Sequence, residues 1–354
     1  MAKIQVLPDA VARRIAAGEV IERPVSVVKE LVENSIDAGA DEVIVELELG
    51  GRQRIAVTDN GEGIGREDVS AAFRPHATSK IRSEEDLLRI TTLGFRGEAL
   101  PSIAAVSDVE LWTCRRGDGL GTRHRNRGGE MLELEDVGSA LGCRIEVRDL
   151  FFATPARRKF LKAPATETSQ VSQLLGRLAL AHTDVGFRLS LDGREAFSLA
   201  RGDPRERLRR VLGREVEAAL RPVVGQGPVG VTGFATHPHF TAASARSILF
   251  FVNGRVVRDR VLQHALLAAY ATLVPRGRYP AAVLFLRVDP EDLDVNVHPA
   301  KLEVRFRDSR AVHDAIAAAL RKTLRAGSPA VQSAPAFADA EAAVAETVAE
   351  YSET

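Results

Sequence analysis

Glu30, Asn34 and Asp37 stand at i, i+4 and i+7 within residues 24–39 (PVSVVKELVENSIDAG), so a helix presents them along one stripe. A carboxylate there can take a proton from water, and an amide oxygen one turn away can ligate a hard cation such as Mg²⁺. A solvated polar face with helix-pairing charges has the same spacing. A second carboxylate, Asp59, opens Asp59-Asn60-Gly61-Glu62-Gly63 at the end of a strand-like run. Beside the bare backbone of Gly61 and Gly63 it can accept a hydrogen bond from an amino group such as that of adenine; a hairpin with an Asx-turn aspartate is the alternative. Leu93-Gly94-Phe95-Arg96-Gly97-Glu98 is a glycine-rich turn opening a helix, with Glu98 in its first turn. Free amides at such a helix start bind phosphate, although the spacing is not that of a Walker A loop. Thr78, Ser79 and Lys80 lie on a small-residue segment able to fold over a ligand, or to remain a polar surface loop.

These groups need elements to hold them. Pro24 suits a first helical position and Gly39 the residue just past a helix end. Val27, Val28, Leu31, Val32 and Ile36 recur at helical spacing, so another side of that helix faces a core. Residues 42–49 alternate as a strand with one wet face, Gly50-Gly51 turns the chain, and residues 54–58 form a more apolar partner strand. Further strands follow over 107–150. Thr154-Pro155 starts a helix whose first turn holds or adjoins Arg157, Arg158 and Lys159. Amphipathic spacing predicts a helix over 167–182, and Asp192-Gly193 turns a hairpin. Past a boundary near residues 201–204, helices are expected over 205–212, 259–274 and 309–325, and strands over 248–252 and 281–288. Between Ala242 and Val288, Arg246, Arg255, Arg258, Arg260, Arg276, Arg278 and Arg287 face one acid, Asp259. That skew suits nucleic-acid phosphates if it lines a groove, and means little if the side chains scatter.

The chain has 354 residues, of which 45% are hydrophobic and 27% charged, enough for two or three globular domains with real cores. Its 48 basic and 48 acidic residues cancel, so only local patches can draw it to nucleic acid. Cys114 and Cys143 are too few for a disulfide framework and lack metal-ligand spacing. No signal peptide or membrane-length apolar run is evident, which makes the cytoplasm the expected compartment.

In order, the motifs are Ile15-Ala-Ala-Gly-Glu-Val, VVKELVENSIDAGA, DNGEGI, HATSKI, LGFRGEAL, TPARRKFL, FVNGR and DVNVHPAK. Together, from about Ile4 to about Leu324, they resemble the N-terminal region of the MutL family of DNA mismatch repair proteins. That family belongs to the GHKL ATPases, with the ATP-hydrolysing part of DNA gyrase, the large heat-shock chaperone and sensor histidine kinases. The earlier motifs are shared across the superfamily, whereas TPARRKFL, HATSK and HPAK point to MutL.

The resemblance implies an α+β fold of two domains. Residues 1–203 would form a GHKL (Bergerat-type) α/β sandwich, a mixed, mostly antiparallel sheet with helices on one face. Residues 204–326 would form a domain like the second domain of ribosomal protein S5, carrying the lysine loop and the basic segment. Residues 327–354, rich in Ala, Ser, Pro and Glu, read as a disordered linker to an absent C-terminal dimerisation domain. By the same resemblance Glu30 is the general base and Asn34 the Mg²⁺ ligand. Asp59 is the adenine acceptor, with Gly61 and Gly63 letting the base approach. Thr78, Ser79 and Lys80 belong to an ATP lid, and Gly94, Phe95, Arg96 and Gly97 to a phosphate-binding turn. Lys301, from the second domain, meets the γ-phosphate, and Arg260 contacts DNA.

The implied cofactors are ATP and Mg²⁺. The implied activity is a slow Mg-dependent ATPase that switches a homodimeric clamp, without nuclease activity in this chain. Its partners would be DNA bound without sequence preference, the mismatch-recognition protein MutS and a downstream nuclease or helicase, in a bacterial cytoplasm at the nucleoid. Two positions depart from the family pattern: Cys143 replaces a threonine that assists at the adenine site, and Ala153 replaces an asparagine before Thr154-Pro155. A thiol is the weaker hydrogen-bond partner. A topoisomerase ATPase and a DNA clamp that binds ATP without turning it over are the competing readings.

Overall fold

Alternating polarity over residues 42–59 builds the centre of a sheet. The computed structural model describes residues 5–81, 83, 86, 92–94, 96–295, 297 and 303–326. In it β1 (Glu42–Glu48) and β2 (Arg54–Asp59) pair antiparallel, with Val45 opposite Val57. Val43, Val45 and Leu47 on β1 and Ile55 and Val57 on β2 point to one face, where all are buried. Because side chains alternate along a strand, the same parity turns Asp59 toward that face.

Among the described residues the sheet has eight strands. The others are β3 (Asp108–Cys114), β4 (Gly121–Arg127), β5 (Glu130–Val137), β6 (Gly142–Arg148), β7 (Gly186–Leu191) and β8 (Arg194–Leu199). Their order is β5-β4-β3-β6-β2-β1-β7-β8. Of these described strands, only β1 and β7 pair in parallel.

The helices in this unit begin with α1 (Asp9–Val20), α2 (Pro24–Asp37), α3 (Arg66–Ala72) and α4 (Ala99–Val106). α2 and α4 pack on the apolar face of the sheet, and α1 packs on α4. The opposite face is a lattice of ion pairs. Arg54 lies 2.8 Å from Glu48, Arg144 lies 2.9 Å from Glu46, and Arg123 lies 2.6 Å from Glu135. Each such partly exposed pair adds little stability alone, but together they keep helices and core off that side. This is the sandwich implied for the first domain.

α2 begins and ends as its sequence requires. Pro24 occupies its first turn, and Gly39 follows it at φ +68°, a conformation that costs glycine little. Val27, Val28, Leu31 and Val32 are buried, each contributing about 1.5–3 kcal/mol of apolar transfer.

The chain divides into two compact units, Met1–Leu175 with Val185–Arg201, and Gly176–Asp184 with Gly202–Thr354. Between β6 and β7 come α5 (Pro155–Lys159) and α6 (Pro164–Ala181), whose last residues group with the second unit. That unit then adds α7 (Pro204–Leu212) and α8 (Arg214–Ala219). Its sheet follows as β9 (Leu220–Gly225), β10 (Gly230–Thr236), β11 (Ile248–Val252), β12 (Arg255–Val257) and β13 (Ala282–Arg287). The strand order is β12-β11-β13-β10-β9, with β11 and β13 parallel. α9 (Arg260–Tyr270) and α10 (Ser309–Ala326) pack together, and α10 covers β9 and β10. Phe251 stacks on Phe285 at 4.8 Å in a core shared with Phe234, Leu180 and Leu208. The helix expected over 259–274 ends at Tyr270, whose carbonyl oxygen accepts from the amides of Leu273 and Val274 in a closing turn before Pro275.

Arg207, on α7, is the largest fully buried side chain of this core. Its guanidinium donates to the carbonyl oxygens of Ala179 (2.5 Å) and His182 (2.8 Å), which the end of α6 leaves without helical partners. Burial pulls its pKa down to about 10 against the opposing pull of Asp184 and Asp203. Removing it strands those carbonyls and opens a cavity. Arg207→Ala should therefore lose about 3–5 kcal/mol of stability, measured by urea unfolding. A loss under about 1 kcal/mol would mean that water replaces the guanidinium freely.

Candidate functional site

The polar stripe of α2 meets three other segments of the first unit. At its upper turn Glu30 is 15% exposed, and Lys29 Nζ lies 3.2 Å from its Oε1 and 2.9 Å from Glu33 Oε2. Burial would depress the Lys29 pKa, but the charges of Glu33 and Glu30 outweigh it, so the ammonium titrates above the ordinary lysine value. Glu30 thus stands beside a positive charge, and its carboxylate form is the one able to accept a proton.

One turn on, Ser35 reaches the strand end. Its hydroxyl lies 2.7 Å from Asp59 Oδ2 and 3.1 Å from Leu31 O. Asp59 Oδ1 accepts from the backbone N–H groups of Gly61 (3.0 Å) and Cys143 (3.2 Å). A carboxylate offers about four acceptor positions, so these partners leave room for one further donor. Burial raises the Asp59 pKa, and the hydrogen bonds from Ser35, Gly61 and Cys143 pull the other way without cancelling it. Gly61 and Gly63 are required by the protein's own backbone. A Cβ on Gly61 would lie 2.8 Å from Ala38 O, and one on Gly63, at φ +74°, would lie 2.3 Å from Cys114 O.

The departure at Cys143 touches Asp59 through its main chain, which any residue supplies. The thiol lies 3.1 Å from the hydroxyl of Thr113, the cross-strand neighbour on β3, which also accepts from Ile64 N–H at 2.8 Å. Burial and the charge of Asp59 push the thiol pKa up to about 12, so it stays protonated and unreactive near neutrality. At the other departure, Ala153, the hydroxyl of the following Thr154 is buried and unpartnered among the described residues.

The last turn of α2 gathers the segment of Thr78, Ser79 and Lys80 and the glycine-rich turn. Asp37 Oδ1 accepts from Leu93 N–H (2.8 Å) and Oδ2 from Gly94 N–H (2.9 Å). Lys80 Nζ lies 2.5 Å from Asp37 Oδ2 and 3.0 Å from Asn34 Oδ1. Gly94 packs so closely that an added Cβ would sit 3.1 Å from Asn34 Oδ1. Thr78 and Ser79 are partly or fully exposed, and the Thr78 hydroxyl accepts from Lys80 N–H. Gly97, at φ +61°, is packed against Ala77, and its carbonyl accepts from His76 N–H, stitching the two segments together. That bond and that dihedral delay the helix. Glu98 occupies the cap position of α4 instead of its first turn, correcting the expectation. Arg96 is half-buried. Phe95 and Lys301 lie outside the described residues.

Asn34 thus already faces a cation, the Lys80 ammonium, between an amide oxygen and a carboxylate oxygen. That oxygen donor set also suits a hard metal ion. The sequence puts Asp37 on the stripe without assigning it a task, and it does not single out Ser35 or Thr113. Their signal is only that of polar residues on faces shared with Asn34 and Asp59.

In the second unit the arginines do not act as one set. Arg255 is buried, and Arg278 is tied to the backbone and hydroxyl of Thr241. Arg258 and Arg260 lie on either side of Asp259, which caps α9 by accepting from Val261 and Leu262 N–H, and both are exposed. Arg177, from the end of α6, lies close enough to Arg258 that burial and this like charge lower its pKa. It extends the basic area from outside the segment that the sequence marks.

Folding raises the Asp59 pKa, so its charged form costs stability above the folded-state value, and the cost disappears below the unfolded value of ~3.9. Asp59→Asn, which keeps an oxygen for Gly61 and Cys143, should melt at a higher temperature than the wild type near neutral pH. The gap should shrink toward about pH 4. An equal or lower melting temperature at neutral pH would place the stabilising weight on the carboxylate's hydrogen bonds.

Residues 22–124 match the family described as histidine kinase-, DNA gyrase B- and HSP90-like ATPase, and residues 208–325 match the family described as DNA mismatch repair protein, C-terminal domain. The DNA mismatch repair protein MutL of Geotalea uraniireducens is 49% identical over 99% of this chain and 60% of its own length. That of Geobacter sulfurreducens is 49% identical over 91% and 54%. The chain therefore spans little more than half of these relatives. Among solved structures, the Aquifex aeolicus MutL ATPase domain complexed with ADP superposes with a TM-score of 0.61 at 29% identity, over 84% of this chain and 98% of that one. The N-terminal domain of a DNA repair protein superposes with a TM-score of 0.76 at 25% identity, over 89% and 98%. Site geometry, motif order and these likenesses agree, and the chain belongs to the MutL family of DNA mismatch repair proteins, over its ATPase region.

Proposed function

We propose that this chain binds and slowly hydrolyses ATP with Mg²⁺, and that its nucleotide state switches a homodimeric clamp in DNA mismatch repair. One observation supports this most. Within a few turns, a single rigid helix touches the strand-end carboxylate through Ser35, the lid through Asn34 and Asp37, and the glycine-rich turn through Asp37.

In this reading Asp59 accepts from the adenine amino group, and Glu30 takes the proton of the attacking water. The turn at Gly94, Phe95, Arg96 and Gly97 would meet the phosphates with the backbone amides that Asp37 does not hold, and Thr78, Ser79 and Lys80 would close over them. Asn34 would hold the magnesium ion, which when bound offsets the charge of the phosphates. Lys301 would supply a second cation to the γ-phosphate. Residues 1–203 are then the ATPase domain and 204–326 the transducer. Ordering of the lid on ATP binding is the switch that favours the dimer. Arg260, at the start of α9, contacts DNA phosphates, and MutS and a downstream nuclease or helicase are the partners through which the clamp acts.

The deciding experiment is ATP hydrolysis across a range of protein concentrations. Specific activity should rise with concentration in the wild type. Glu30→Ala should lose about 10²–10⁴-fold in turnover while still binding ATP. Unchanged turnover in that variant would remove Glu30 from the chemistry. Absent turnover in both chains, with ATP bound, would favour a clamp that does not hydrolyse. For DNA, Arg260→Ala should weaken binding equally across sequences and reduce the slope of log K against log salt by about 0.9 for one lost phosphate contact. An unchanged slope would move the contact elsewhere.

A further inference from the structure

We propose that Asp37 is the positioning residue for the phosphate end of the nucleotide site, a role that rests on the reading above. One carboxylate, 5% exposed, receives donors from two chain segments distant in sequence: the amides of Leu93 and Gly94, and the ammonium of Lys80. The turn and the lid lysine are thereby set against the same side of α2 as Asn34. Asp37 is aimed at protein groups, so it acts through them.

The geometry requires two acceptor oxygens. Both oxygens are used, and Oδ2 is shared between Gly94 N–H and Lys80. An asparagine has the same outline but only one acceptor oxygen. In either orientation its amino group would confront a donor, Leu93 N–H in one and Gly94 N–H with the Lys80 ammonium in the other. Lys80 also occupies the face of Asn34 that a metal ion would use. Asp37 therefore keeps the lysine at hand when the nucleotide's own cation takes its place at Asn34, and by gripping Leu93 and Gly94 it holds the turn so that its remaining amides need not reorganise on binding.

At the adenine end Asp59, Ser35 and Cys143 form a separate network that shares no hydrogen bond with Asp37 among the described residues. A purely structural role for Asp37 would weaken every nucleotide alike. A positioning role weakens ligands according to their phosphates.

The test compares ATP and AMP with Mg²⁺ on the whole chain, by calorimetry for ATP and ligand-detected NMR for AMP, with hydrogen exchange read at Leu93 and Gly94. Asp37→Asn should weaken ATP about tenfold or more, the worth of one charge-assisted bond. It should leave AMP within about twofold and speed exchange at both amides without nucleotide. Equal loss for both ligands, or unchanged exchange and affinity ratio, overturns the proposal. If Asp37→Asn does not fold, Lys80→Met decides. Faster exchange over residues 76–80, with Leu93 and Gly94 still protected and ATP alone weakened, supports it; an unchanged lid overturns it. A wild-type chain that binds neither nucleotide would instead refute the ATPase reading itself.

Discussion

The structure depends on α2 having two incompatible sides. Leu31 and Val32 are sealed against the sheet, so turning the helix by one residue would swing about 100° of apolar surface into water. That cost fixes the azimuth of Glu30, Asn34, Ser35 and Asp37 at once. Three other parts of the candidate site are registered against this helix: β2 through Asp59, the 76–80 segment through Lys80, the glycine-rich turn through Leu93 and Gly94. A site built on a core helix is positioned by the stability of the whole domain, so loop chemistry alone does not have to hold it.

The carboxylates along α2 have lysine companions, with Glu33 sharing that of Glu30. Glu30 has Lys29, and Asp37 has Lys80. Asp59 is held by neutral donors, and burial pushes its carboxyl toward protonation. The strand end thus carries an acceptor that is costly to keep charged, and the last turn of α2 carries a cation. The same separation accounts for Cys143. Next to a carboxylate and out of water, its sulfur behaves as a small apolar group with a weak hydrogen bond to Thr113.

Local features of the fold are legible in the sequence because their causes are local. Pro24 and Gly39 bracket α2 by backbone preference, and alternation in β2 alone decides which way Asp59 faces. What the sequence does not supply are the pairings that tertiary structure creates. Asp37 and Leu93 are 56 positions apart, and Arg207 meets His182 across 25. Nothing in the local pattern marks Arg207 as a buried cap, since α7 reads as a plain basic helix. Gly61 and Gly63 stand out for openness to a ligand, yet their packing against Ala38 and Cys114 already demands glycine. Arg255 looks like its neighbours in composition, and only the register of β12 turns it inward.

The parallel pairing of β1 with β7 sets a timetable for biosynthesis. Arg188 on β7 bonds Glu42 on β1 across 146 positions of sequence. At ordinary translation rates β1 waits on the order of ten seconds for that partner, with one edge of its backbone unpaired. Free edges recruit other strands, and charged side chains along them discourage this. Glu42, Ile44, Glu46 and Glu48 share the wet face of β1, so three of those four outward positions repel a second copy of the same strand. The glutamates that later join the ionic lattice of the finished sheet thus first serve a nascent chain, keeping this strand pair from meeting that of a neighbouring ribosome's product.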